Sequence, residues 1–219
     1  MDRLDTAMTD EDVTKRRLPA NFFERMDTAP DDEFYREPRF VQHIDEVTIE
    51  ALTAWYRDFL FAGADVLDLM SSWVSHYPRE MALGRVAGLG MNAAELGANP
   101  RLTEHCVHDL NLEPELPFDS AAFDRATVAV SIQYLVRPVE AMRSVARVLR
   151  PGGRLGIAMS HRMFPTKAIR AFHQMPPGER VRLVGAYLVL GGFRNVAFAD
   201  RSPPAGDPLW ILTGETPVP

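Results

Sequence analysis

The chain has 219 residues, 46% of them hydrophobic and 25% charged, which suits one globular domain with a substantial core. A net charge of −6 argues against a general nucleic-acid binder, and a single cysteine, Cys106, excludes an internal disulfide framework and fits a reducing, cytoplasmic setting. No apolar run approaches bilayer length and the N-terminus lacks the apolar core of a signal peptide, so no membrane partner is expected.

Met1 to Arg17 is polar, with mixed charge and no apolar stripe, and reads as a mobile tail or as a segment that only a partner would order. Leu18 to Phe40 interleaves Phe22, Phe23, Phe34, Tyr35 and Phe40 with charges, so it is expected to pack as a strap over the domain surface or as a lid on a site. Residues 1–44 are thus read as tail and strap, and 45–219 as the main domain; the aromatic strap leaves a homodimer open. A helix is predicted from Asp45, a capping residue, to Phe59, with Ile49, Leu52, Trp55, Tyr56 and Phe59 on one face.

Ala64 to Leu69 follows as a short buried strand carrying Asp68 at its end, and in open α/β sheets ligands sit at the carboxyl ends of strands. The next residues, Met70-Ser71-Ser72-Trp73-Val74-Ser75, offer hydroxyls near an expected helix N-terminus, and Trp73 can wall a pocket or fill it. His76 is expected either to touch a ligand or to bond the start of that helix. Arg85 to Gly90 reads as the second strand, Asn92 to Ala98 as a short helix, and Leu102 to Asp109 as the lead into a third strand.

Phe123 to Val130 is β-branched and apolar, a strand ending at Ser131. Pro138 suits the first turn of a helix whose Val139, Met142, Ala146 and Leu149 share one face, and Pro151-Gly152-Gly153 should stop it before a strand from Arg154 to Met159. The loop after that strand, Ser160-His161-Arg162, offers an imidazole that could serve as a general base and a guanidinium that could hold an anionic substrate group; His161 acting as a mere cap is the alternative. Lys167 to Gln174 and Arg180 to Leu190 are expected helices, and Asn195 to Ala199 and Leu209 to Thr213 the closing strands. His43, His76, His108 and His161 show no HxxxH or CxxC spacing, so no metal site is expected.

The run LPFDSAAFDRATVAVSIQYL followed by RVLRPGG resembles the second half of a class I S-adenosylmethionine-dependent methyltransferase of the small-molecule, type 11 kind. The resemblance implies an α/β, Rossmann-like sheet of seven strands flanked by helices, with the N-terminal strap as a possible lid. It implies S-adenosylmethionine as cofactor and a small-molecule methyl acceptor, and the absence of an NPPY-type run after the fourth strand speaks against a nucleic-acid substrate. By position it assigns Asp68, Ser71, Ser72 and Trp73 to the first cofactor loop, Gly90 and Asn92 to the ribose region, Met91 to the adenine ring or else to the core, Asp109 and Leu110 to the adenine, with Asp109 as a turn cap on Asn111 the alternative, and Ser131 to the loop facing the methyl group. Tyr134 and His161 are the candidate catalytic residues. Two departures stand out. The family's D-x-G-x-G-x-G reads Asp68-Leu69-Met70-Ser71-Ser72-Trp73-Val74, with every glycine replaced, and Gly90 stands where the family places an acid on the ribose hydroxyls. The same departures allow a non-catalytic binding or scaffold protein on this fold.

Overall fold

The computed structural model describes residues 18–218, so the expected tail lies outside the described residues. The elements run α1 (Asp31–Phe34), α2 (Glu46–Phe59), β1 (Val66–Leu69), β2 (Val86–Gly90), α3 (Ala93–Ala98), β3 (Glu104–Val107), β4 (Phe123–Ala129), α4 (Pro138–Val148), β5 (Leu149–Met159), α5 (Arg170–Gln174), α6 (Pro177–Leu190), β6 (Arg194–Asp200) and β7 (Trp210–Glu215), with 3₁₀ turns at Ala20–Phe23 and Ile132–Tyr134. The strands form one sheet in the order β3-β2-β1-β4-β5-β7-β6. The pairs from β3 to β5 are parallel, and β7 runs antiparallel to both its neighbours. This is the seven-stranded mixed sheet the resemblance implies, and its strand order reverses between β1 and β4.

Alternation along the strands splits the core between the two faces. Leu67, Leu69, Ala87 and Leu89 pack with α4 and α6, through Met142, Val145, Val184 and Tyr187. Val66 and Val86 face α2 instead, against Leu52, Trp55, Tyr56 and Phe59. Asp45 caps α2 by accepting from the Thr48 amide at 2.9 Å, as its position suggests. Trp55 and Phe59 stack at 4.6 Å between centroids and lie where a Cβ on Gly156 of β5 would be, so this glycine lets α2 sit close on the sheet. Each large apolar side chain buried this way contributes about 1.5–3 kcal/mol.

Two expectations change. The Pro-Gly-Gly turn does not separate α4 from the next strand. The helix ends at Val148, and β5 already includes Leu149 and the turn itself: Phe123 pairs with Leu149 and Arg125 with Arg154, so Arg150–Gly153 are absorbed as a bulge with Gly152 at φ +73°. Leu149 is therefore a buried strand residue rather than the last on the helix face. The second change decides the site: no helix lies between β1 and β2, and residues 70–85 cross in irregular conformation.

The strap, residues 18–44, wraps back over the carboxyl ends of the strands. Fully buried Lys167 fastens it, donating to the Ala29 carbonyl at 2.7 Å and pairing with Asp27 and Asp31 at 3.2 and 3.1 Å. Arg25 reaches both Asp31 oxygens at 2.8 Å, and Asn111 donates to Asp31 at 2.8 Å and to the Tyr134 carbonyl at 3.0 Å. Burial tends to raise the Asp31 pKa, but these donors outweigh it and hold the carboxyl below its ordinary value.

Candidate active site

A cleft opens at the carboxyl ends of β1, β2 and β4, at the switch point of the strand order, where open α/β sheets take their ligands. It encloses about 140 Å³, roughly ten times the ~10–15 Å³ a single water needs, so it admits a multi-atom ligand. Strap residues Asp31, Tyr35, Arg39, Val41, His43 and Ile44 form its roof.

Asp68 lies at its floor, buried at the end of β1. One carboxylate oxygen accepts the hydroxyls of Ser71 and Ser75, each at 2.6 Å, and the other accepts Thr127 at 3.3 Å. All these donors are neutral. Burial therefore dominates and raises the Asp68 pKa despite the hydroxyl bonds, a situation that a cationic ligand group would relieve.

The same bonds shape the rebuilt loop. With Ser71 and Ser75 turned back to Asp68, and Ser72 donating to Glu95 at 2.6 Å, the loop wraps around carboxylates instead of starting a helix. The serine hydroxyls expected at a helix N-terminus are thus engaged within the protein. Met70, at the position of the family's first glycine, holds the left-handed φ of +56° that glycine adopts most readily, and His76, at φ +58°, is a second left-handed residue in the crossing. Trp73 walls the cleft, its indole donating to the Val41 carbonyl at 3.0 Å and its ring edge-on to Phe40.

Gly90, Met91 and Asn92 all line the cleft. A Cβ on Gly90 would run into the Ser71 carbonyl, so the rebuilt loop occupies the space that an acidic side chain at this position would need. Asn92 caps α3 by accepting from Ala94 and Glu95, at 2.9 and 3.0 Å, and donates to the Tyr35 and Arg36 carbonyls of the strap at 2.9 and 3.1 Å. Both ends of its side chain are committed, which leaves it a structural part in place of the ribose contact expected from sequence.

Asp109 and Leu110 line the cleft beyond β3. One Asp109 oxygen caps the turn by accepting the Asn111 amide at 2.8 Å; the other has no protein hydrogen bond among the described residues. Ser131 and Tyr134 line it beyond β4, and the buried Ser131 hydroxyl has no partner among the described residues. The Tyr134 hydroxyl accepts the Phe164 amide at 2.8 Å, the two rings stack, and burial raises the phenol's pKa. The preceding Val130 sits at φ +51°, an outlier for a β-branched residue, and such strain collects at functional sites.

His161 stands apart from the cleft. It is half exposed, lies outside the cleft lining, and its Nε2 is 3.0 Å from Asp207, which also takes Arg162 at 2.8 Å. The Asp207 carboxylate, held in the loop before β7, draws both side chains away from the cleft. Gln133 likewise braces backbone, donating to the Val130 and Arg162 carbonyls. The imidazoles that do line the cleft are His43, His76 and His108. Desolvation lowers His76 to about 4 and lowers His43 as well, so both are neutral at physiological pH. Among the described residues no group of three or more His, Cys, Asp or Glu side chains could hold a metal, and no helix is long and apolar enough to cross a membrane.

Sequence reasoning passed over Glu95, Arg39, Asp31 and Asn111. Glu95 carried a signal, but one that pointed elsewhere: Asn92-x-x-Glu95 reads as a helix cap. The other three are brought to the cleft by the path of the strap and of the loop after β3.

Residues 72–157 match the family model described as a methyltransferase domain, which begins inside the rebuilt loop. The chain is 37% identical over 93 residues to the O-methyltransferase resE of Aspergillus sclerotiorum, a stretch covering 39% of this chain and 35% of that protein. It is 30% identical over 96 residues to a demethylmenaquinone methyltransferase of Protochlamydia amoebophila, covering 44% and 38%. The chain thus spans less than half the length of the curated relatives it matches. Among solved structures it is similar to the [4+2]-cyclase SpnF, with TM-score 0.58 and 19% identity over 77% of this chain and 80% of that one. An S-adenosylmethionine-dependent methyltransferase from Mesorhizobium loti matches with TM-score 0.56 and 14% identity, over 75% and 97%. The strand order and the structural neighbours agree on the Rossmann-like methyltransferase fold, and residues 72–157 match a methyltransferase domain.

Proposed function

We propose that the protein transfers a methyl group from S-adenosylmethionine to a small-molecule acceptor. The observation that carries this reading is the cleft at the strand-order switch point, with a buried carboxylate on its floor that has only neutral donors among the described residues. S-adenosylmethionine supplies an electrophilic sulfonium methyl group. The residues present suit such a cation: Asp68 offers a buried carboxyl whose ionised form a cation would stabilise, Asp109 a carboxylate oxygen with no hydrogen bond among the described residues, and Met91 and Leu110 apolar surface for a base. Relatives named O-methyltransferase and demethylmenaquinone methyltransferase support the reaction class.

The strap acts as a lid that keeps water out and holds the acceptor in a small chamber, and most of the rate comes from this positioning. Where the acceptor must lose a proton, neutral His76 or His43 takes it in place of His161, being in the cleft and uncharged. Tyr134, its phenol kept protonated, orients rather than deprotonates.

The committed side chains of Ser71, Ser72 and Asn92 favour a second reading, a non-catalytic binding protein on the same fold. Calorimetric titration with S-adenosylmethionine and S-adenosylhomocysteine separates the two. Saturable one-to-one binding, weakened about tenfold by Asp109→Ala, is expected for the methyltransferase; silence up to millimolar ligand from folded protein rejects it.

A further inference from the structure

Glu95 is the third residue of α3 and, with Asn92, has the spacing of a capping box, in which the glutamate reaches back to the amide of the capping residue. It does not do so here. Its carboxylate lines the cleft, accepting the Ser72 hydroxyl on one oxygen and the Arg39 amide on the other, each at 2.6 Å. It is 8% exposed and has no cationic partner among the described residues. A buried carboxylate held by two neutral donors still has acceptor positions to fill, since the group offers about four, and leaving them unfilled is costly.

Gly90, whose own side-chain space the Ser71 carbonyl occupies, lies in the same wall of the cleft, and Ser72 is the next residue of that loop. The loop thus closes the place of one carboxylate and bonds directly to another. We infer that Glu95, steered by Ser72, holds the vicinal diol of a ribonucleoside ligand, in place of an acid at position 90. The two hydroxyls of a diol are the donors a carboxylate lacks here, and hydrogen bonds to an ionised acceptor are about twice as strong as neutral ones. The absent loop glycines and the absent strand-end acid are then two sides of one arrangement: the loop lies against Gly90 and carries Ser72 to Glu95.

This inference rests on the proposed methyltransferase reading. The test titrates the full chain with S-adenosylhomocysteine and with its 2′,3′-dideoxy analogue, for wild type, Glu95→Gln and Ser72→Ala, with a thermal melt of each variant. Wild type is expected to bind the intact nucleoside about tenfold or more tighter than the analogue. Glu95→Gln should lose that preference, binding both ligands at about the analogue's affinity, and Ser72→Ala should lose part of it. Equal wild-type affinity for the two ligands overturns the assignment even if no variant folds, and so does a preference that survives in Glu95→Gln; binding of S-adenosylhomocysteine would leave the methyltransferase reading standing in both cases. No wild-type binding of S-adenosylhomocysteine up to millimolar overturns both.

Discussion

From β4 to β5 the chain crosses through the eleven-residue helix α4; from β1 to β2 it crosses through residues 70–85 with no helix. Both crossings join strands of one parallel sheet, and both feed the cleft. The first is held by apolar packing of Ala141, Met142, Val145 and Val148 against the sheet. The second is held by polar bonds to two buried carboxylates, Asp68 and Glu95. A crossover can therefore do without its helix when buried acids supply enough acceptors to organise the loop and a few of its own apolar side chains, here Tyr77, Met81 and Leu83, pack with α2 on the sheet. It follows that the rebuilt half should respond to polar and steric changes more than to propensity.

The largest effect is expected where the strap is pinned. Lys167→Met removes the cation between Asp27 and Asp31 and leaves the buried Asp31 with less compensation. Breaking a buried pair in this way costs about 3–5 kcal/mol, less here because Arg25 remains. Urea unfolding measures the loss, and limited proteolysis should show cutting within residues 24–43; a loss under about 1 kcal/mol would show that the strap is held without Lys167.

Restoring the family acid sharpens the comparison further. Gly90→Asp pushes a Cβ into the Ser71 carbonyl and should destabilise the fold by about 1–3 kcal/mol, with no gain in affinity for S-adenosylhomocysteine. A stable variant that binds more tightly would mean that the loop yields easily and the two departures are independent.

The smallest effect is expected from restoring the first glycine. Met70→Gly relieves a left-handed residue, worth about 1–2 kcal/mol, but adds unfolded-chain freedom of about 0.5–1 kcal/mol and gives up the partly buried methionine packed on the core. The net change in unfolding free energy should be within about 0.5 kcal/mol. A gain above about 2 kcal/mol would instead mark Met70 as a site of stored strain.

Much of the fold was legible because it is written in local pattern. The α2 stripe and its Asp45 cap, the strand run from Phe123 to Val130, one residue longer than β4, and Pro138 opening α4 all follow from periodicity and breakers acting over a few residues. Of the candidate site, position in the resembling family's pattern pointed to the strand ends: Asp68, Gly90, Met91, Asn92, Asp109, Leu110, Ser131 and Tyr134 all line the cleft, as do the loop residues Ser71, Ser72 and Trp73. What those side chains bond was not legible. His161 reads as a base at a strand end, and only the loop before β7, some 45 residues on, turns it to Asp207. Glu95 reads as a cap, and only the return of residues 39 and 72 to α3 makes it part of the cleft. Sequence fixes elements by short-range sterics and hydrophobic period; the partners of a buried polar group come from distant segments, and the tertiary structure alone decides them.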